Sequence, residues 1–216
     1  MRLFYSTTSP YARIARVALA EKGLTELEGC LTDPWDDEAG LLEANPCARV
    51  PALLIERGLP LTESLLIVLW LETQRPAPSL LGADASRVLS KAGVAMGAID
   101  AAAAIIIGGK SVPGFGDSPV GLRRRRSVAQ ALARLEADPP VLHGDTADLC
   151  VIAAVVLLDY LRFRFANAPW MPATPRLDAL AAKAHERPAF ASTMPRDMPK
   201  PDNESQENSR CLQSLK

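Results

Sequence analysis

The chain is poor in the residues that mark several common kinds of chemistry. Aromatics are only 5% of its 216 residues, and there are two histidines, His143 and His185, far apart. Four cysteines, Cys30, Cys47, Cys150 and Cys211, are scattered with no C-x-x-C pair. That spacing excludes a zinc ribbon and a dithiol redox motif, and it suits isolated reduced thiols. Neither histidine has metal-ligand spacing, so no metal is expected. The opening MRLFYSTTSP lacks the apolar stretch of a signal peptide. The longest apolar runs, Ala101–Ile107 and Leu149–Leu158, fall well short of the roughly 20 residues that span a bilayer. Net charge is −1, so no global field draws the chain to nucleic acid or an acidic membrane. The run Arg123–Arg126 lacks interleaved aromatics and reads as a solvated helix face. These absences predict a soluble cytoplasmic protein with no nucleic-acid or membrane partner.

What is present is ordinary in amount and informative in order. Hydrophobic residues are 48% and charged residues 23%, enough for one large core or two modest ones. Arg2–Tyr5 predicts a strand. Ser9 before Pro10 is a helix start, with Ser9 as N-cap and Ile14, Val17 and Ala18 on the buried face. Gly23 is the expected stop. Thr25–Leu31 predicts a second strand, 36–43 a short helix, and Ala52–Ile55 and Leu59–Leu61 a hairpin. Glu63 and Ser64 open another helix. The first 75 residues thus read β-α-β followed by β-β-α, a parallel pair extended by an antiparallel hairpin.

Residues 76–82, with Pro76 and Pro78, read as a linker. No strand is expected beyond them. Helices are predicted over Ala83–Ile107, Leu122–Glu136, 145–165, Pro175–Lys183 and Pro188–Thr193, with a break over Gly108–Gly121. The helix over 145–165 is apolar on nearly every face and belongs at the centre of its domain. Asp145 is its expected N-cap, with Asp148 as the third helical residue. From Pro195 the chain turns polar, and 195–216 reads as a disordered tail.

Five stretches resemble the cytosolic glutathione S-transferase family, in its bacterial, serine-type form: STTSPYARIARVALAEKGL after the first strand, NPCARVPALL, the Glu63-Ser64 pair, Asp145-Thr146-Ala147-Asp148, and RPAFASTMP. The resemblance covers residues 1 to about 195. It implies a thioredoxin-like domain over 1–75 that binds glutathione and an all-helical domain over 83–194. It further implies glutathione as co-substrate, a small apolar electrophile as second substrate, and a homodimer with Ala83–Ile107 at the interface and Asp100 reaching the partner's site.

Glutathione needs donors for two carboxylates, an acceptor for its ammonium, and a group that lowers the pKa of its thiol. By resemblance Ser9 is the activating hydroxyl, with Tyr5 at the end of the first strand as the alternative and Ser6 and Thr8 as further rivals in the loop. Val50 exposes its backbone beside Pro51, which is cis in such folds. Glu63 accepts from the γ-glutamyl ammonium, Ser64 binds the α-carboxylate at a helix N-terminus, and Arg49 meets the glycine carboxylate. The matching pocket wall is AAAAIIIGGKSVPGFG, apolar and flexible, with Tyr11, Ile106 and Phe115 as candidate lining residues. Cys47 lies near the site and reads as a bystander thiol. The expected activity is glutathione transfer or glutathione-dependent reduction, with a non-catalytic ligand-binding protein as the alternative. An isomerase of maleyl-type acids is disfavoured, because Thr8-Ser9-Pro10 stands where such enzymes carry an S-S-C-type run.

Overall fold

The computed structural model describes residues 1–144 and 146–199. The chain begins with β1 (Arg2–Tyr5), α1 (Pro10–Glu21), β2 (Glu28–Leu31), α2 (Ala39–Ala44), β3 (Ala52–Leu54), β4 (Pro60–Thr62) and α3 (Ser64–Gln74). The sheet order is β2-β1-β3-β4. β1 and β2 run parallel, with Leu3 opposite Gly29, and β3 pairs antiparallel with both β1 and β4. Side chains alternate across such a sheet. Leu3 and Leu53 therefore enter one core with α1 and α3, and Phe4 and Ala52 enter a smaller one with Leu41, Ala44 and Val50. This is the thioredoxin-like arrangement.

Among the described residues five helices follow: α4 (Ala85–Ser111), α5 (Pro119–Ala137), α6 (Leu149–Phe165), α7 (Pro175–His185) and α8 (Pro188–Ala191). α6 is buried at every residue from Leu149 to Leu161 and forms the centre of the helical half. Fully burying one such Leu, Ile or Val stabilises by about 1.5–3 kcal/mol, so this helix dominates its core. α4 is long and apolar enough by composition to cross a membrane, yet nearly half of its most apolar stretch is buried inside the fold. Its Ala92, Ala95, Ala98, Ala101 and Ala102 are all buried. The larger core runs without interruption from α1 and α3 into α4–α8.

Polar ties cross between the halves. The Arg13 guanidinium, 3% exposed, lies 2.8 Å from Asp159 on α6, itself 2% exposed. His185 Nε2 meets the same Asp159 carboxylate at 2.9 Å. Glu21 holds Arg187 at 2.6 Å and accepts from the Ala147 N–H at 2.9 Å. Within the first half, buried Lys22 pairs with Glu72 and ties the start of the linker by donating to the Arg75 and Pro78 carbonyls at 2.6 Å.

Three expectations need correction. α4 does not stop at Ile107 but continues through Gly108 and Gly109 to Ser111. Gly108 is there for a close approach: a Cβ on it would sit 2.4 Å from the Phe115 ring. α6 starts at Leu149, and Asp148 is its N-cap, accepting from the Val151 N–H at 3.0 Å, not its third residue. The cap assigned to Asp145 lies outside the described residues. Finally, 195–199 are not free chain. The Arg196 N–H donates to the Thr7 carbonyl at 3.3 Å, and the Thr7 N–H and hydroxyl donate to Met198 Sδ at 3.4 and 3.3 Å. The remainder of the expected tail, 200–216, lies outside the described residues.

Candidate functional site

A cavity of about 660 Å³ opens between the two halves of the fold. Its size suits a small-molecule site. One wall is the loop after β1, with Ser6, Thr8 and Ser9, and the start of α1, with Pro10 and Tyr11. The floor is the turn before β3, Cys47 to Val50. The β2–α2 loop contributes Asp33, Pro34, Trp35 and Asp37. The opposite wall comes from the last turns of α4 (Ala103, Ile106, Ile107, Lys110) and from Tyr160 and Arg164 of α6. Met198 closes one side.

Ser9 caps α1 because its backbone is extended, at φ −82° and ψ 119°, which turns its side chain back over the first turn. Its Oγ accepts from the Ala12 N–H at 3.1 Å. Accepting leaves the hydroxyl proton available for donation into the cavity. Thr8 lines the cavity as well, and its Oγ1 is 3.5 Å from Ser6 Oγ. Tyr5 is elsewhere. Its ring lies under the Arg16 guanidinium, 4.5 Å from the centroid, and faces Gly29, where a Cβ would be 3.2 Å from the ring. It is not among the lining residues.

The Val50-Pro51 peptide is cis. Asn45 fixes the turn before it, donating to the Arg49 carbonyl at 2.8 Å and accepting from the Cys47 N–H at 3.1 Å. Ala48 takes φ +51° in this turn. Glu63 stands at φ +66° between β4 and α3, and its carboxylate accepts from Arg49 Nη1 at 2.9 Å. Ser64, the first residue of α3, is buried. Glu63 and Ser64 do not line the cavity themselves; Glu63 connects to it through Arg49, which does.

The Tyr11 hydroxyl donates to Asp100 Oδ1 at 2.5 Å. Burial, then this hydrogen bond, raises the Tyr11 pKa far above the ordinary phenol, so Tyr11 stays neutral. Asp100 is thereby tied to Tyr11 through one of its two carboxylate oxygens. Phe115 needs correction. It packs on Gly108 outside the cavity, in a short 3₁₀ turn over Phe115–Asp117, because the prolonged α4 carries that turn past the rim. Ile106 and Tyr11 do line the cavity.

Trp35, Lys110, Tyr160, Arg164 and Met198 escaped sequence reasoning. Lys110 Nζ sits over the Trp35 ring, 4.4 Å from its centroid, and joins the β2–α2 loop to the end of α4. Tyr160 and Arg164 are four residues apart on α6 and so share a face. A tyrosine and an arginine at that spacing, late in an otherwise apolar helix, was the available signal. Cys150 is excluded as a nucleophile: burial, then donation to Asp148 Oδ1 at 3.0 Å, pushes its thiol well above the usual range. Among the described residues no group of three His, Cys, Asp or Glu side chains is placed to hold a metal.

With fold and cavity in view, the comparisons fall into one class. The family described as glutathione S-transferase, N-terminal domain, matches residues 8–74. An uncharacterized GST-like protein, YibF, of Escherichia coli K12 is 31% identical over 90% of this chain and 98% of its own length. The maleylacetoacetate isomerase of Pseudomonas aeruginosa is 30% identical over 91% of this chain and 95% of its own. Two solved structures superpose closely. A glutathione S-transferase of Methylobacterium radiotolerans in complex with glutathione sulfonate has a TM-score of 0.83 at 32% identity, covering 94% of this chain and 98% of that one. One of Methylobacillus flagellatus with bound glutathione has a TM-score of 0.81 at 30% identity, covering 90% and 99%. The chain belongs to the glutathione S-transferase family.

Proposed function

We propose that the protein binds glutathione in this cavity as a co-substrate and transfers it to a small electrophile with an apolar body. The observation that carries this reading is Ser9: its hydroxyl faces the cavity at the N-terminus of α1, with its lone pair on the helix and its proton unclaimed. A thiol with a pKa of about 8.5 is only a few per cent ionised at pH 7, and lowering it by two units requires about 2.7 kcal/mol. A hydrogen bond to a charged sulfur supplies about 1.5–3 kcal/mol. The helix terminus adds up to about 1 kcal/mol. Together they suffice.

In this reading Val50 pairs its backbone with the cysteinyl part of the tripeptide beside Pro51. Glu63 and Ser64 take the γ-glutamyl end, and Arg49 takes the glycine carboxylate. The second substrate lies against Tyr11, Ile106 and Tyr160. The thioredoxin-like unit over 1–75, the helical unit over 83–194, a homodimer and a cytoplasmic location complete the proposal. The match to an isomerase favours a second reading, in which glutathione adds reversibly to an unsaturated acid and the net result is isomerisation.

The test is the ultraviolet absorbance of the thiolate of bound glutathione, titrated with pH in wild type and Ser9→Ala. Wild type is expected to hold thiolate near neutral pH. Ser9→Ala is expected to bind glutathione with its thiol pKa raised by about 1–2 units, the value of one charged hydrogen bond. An unchanged titration in Ser9→Ala removes Ser9 from the mechanism. A thiol that stays protonated in both makes the protein a binder without thiol activation.

A further inference from the structure

Three cations line the cavity, and only one has a carboxylate. Arg49 is paired with Glu63. Lys110 and Arg164 have no ion pair among the described residues, although both belong to the same wall. Among the described residues Lys110 is held by the face of Trp35 alone. The Arg164 guanidinium lies 4.4 Å from the centroid of its neighbour Phe163, and its buried Nε finds no acceptor among the described residues. A buried donor without an acceptor is costly, and an arginine fork is shaped for a carboxylate. The lining carboxylates, Asp33 and Asp37, belong to the β2–α2 loop that also carries Trp35; Asp33 Oδ1 accepts from the Trp35 N–H at 3.0 Å, and neither carboxylate pairs with Lys110 or Arg164 among the described residues. The unpaired charge therefore lies on α4 and α6, in the cavity that Ser9 and Val50 also line.

We propose that Lys110 and Arg164 form an anion subsite for the second substrate, so that the preferred electrophile is an α,β-unsaturated carboxylic acid with an apolar body. This rests on the glutathione reading above and specifies its acceptor. In the transfer step the sulfur lone pair forms an S–C bond at the β-carbon, and the C=C π pair moves toward the α-carbon. That carbon takes a proton from solvent, equal to the one the thiol lost on activation. Negative charge builds on the carboxylate during the addition. Two fixed cations then hold the transition state more tightly than the ground state, which is the condition for acceleration. Ile106, Ile107 and Tyr160 take the apolar body.

The experiment compares two ligands with the same three-carbon S-substituent, with and without the carboxylate oxygens, by isothermal titration calorimetry: S-(2-carboxyethyl)glutathione and S-propylglutathione. Wild type is expected to bind the carboxyethyl ligand about tenfold or more tightly, the effect of one charged hydrogen bond. Arg164→Gln and Lys110→Gln are each expected to erase most of that preference while leaving S-propylglutathione unaffected. Lys110 is exposed, so its variant carries the test if Arg164→Gln fails to fold. Equal affinity of wild type for the two ligands overturns the subsite and leaves the glutathione reading standing. The same follows if the variants weaken both ligands alike, because the cations then serve glutathione's own carboxylates. If neither ligand binds, the glutathione reading falls as well.

Discussion

Replacing Asp159 by leucine is expected to destabilise the protein more than replacing Arg13 by methionine, although the two charges face each other across 2.8 Å. The asymmetry follows from what each residue keeps. Without Arg13, Asp159 retains His185 Nε2 at 2.9 Å and Arg162 Nη1 at 3.9 Å, both able to carry positive charge. Without Asp159, Arg13 retains only neutral acceptors among the described residues: Thr193 Oγ1 at 3.3 Å, the Phe190 carbonyl at 3.5 Å and Met194 Sδ at 3.4 Å. Burial already depresses the Arg13 pKa, and Asp159 is what offsets this. Removing one partner of a buried pair costs about 3–5 kcal/mol. The Arg13 variant belongs near the lower end and the Asp159 variant near the upper. At about 2–4 °C per kcal/mol for a chain of this size, melting should fall by about 6–12 °C and 10–20 °C respectively. The measurement is thermal melting at one fixed protein concentration, with His185→Leu added to each background. His185→Leu should cost more in the Arg13→Met background than in wild type, because there His185 has become the main partner of Asp159. Equal losses for the two single variants, or strict additivity of His185→Leu with Arg13→Met, would refute the reasoning.

Three further variants test packing and charge. Gly121→Ala should destabilise by about 1–3 kcal/mol, because its Cβ would lie 2.2 Å from the Phe115 carbonyl oxygen and 2.6 Å from Gly116 backbone atoms that no side-chain rotation can clear. Gly97→Ala, with nothing within 4 Å of its Cβ, should instead gain about 0.5–1 kcal/mol from helix propensity; paired melting curves read both signs. Burial alone would raise the Glu72 pKa, but Lys22, the Leu80 N–H and Ser79 together bring it below the ordinary carboxylate. A folded pKa below the unfolded one contributes stability above about pH 4.3 that is lost as pH falls through the lower folded value. Glu72→Gln should therefore be less stable than wild type at neutral pH, with the gap closing in acid; a gap independent of pH removes the charge pairing from the account.

The elements that were legible in the sequence owe this to strong local chemistry. Ser9-Pro10 is an N-cap followed by a residue that cannot donate, and α1 starts at Pro10. The short apolar runs of residues 2–5 and 52–55 placed two strands to within a residue. The legibility ended where distant chain decides. The Gly108-Gly109 pair reads as a breaker until the Phe115 ring, folded back from the next turn, is seen resting on it. Asp148 reads as third in its helix until the cap geometry is known. Within the site, Ser9, Arg49 and Val50 came from adjacent motifs in one half of the chain. Lys110, Tyr160 and Arg164 project from two helices whose apolar pattern says that they are buried but not which residues face a cavity. Met198 was missed because a polar terminal stretch carries no sign of where it docks.

That docking has a consequence for how the protein is made. Thr7 is in contact with Met198, 191 positions later, and Arg13 is bonded to Phe190 and Thr193. At about 5–20 residues per second, the loop around Ser9 leaves the ribosome roughly 10–40 s before the residues that close over it. During synthesis the thiol-binding loop is thus among the first parts made and the last to acquire its full surroundings. Any chain cut short before residue 190 carries the motif without the enclosure, and leaves the guanidinium of Arg13 without three of its neighbours.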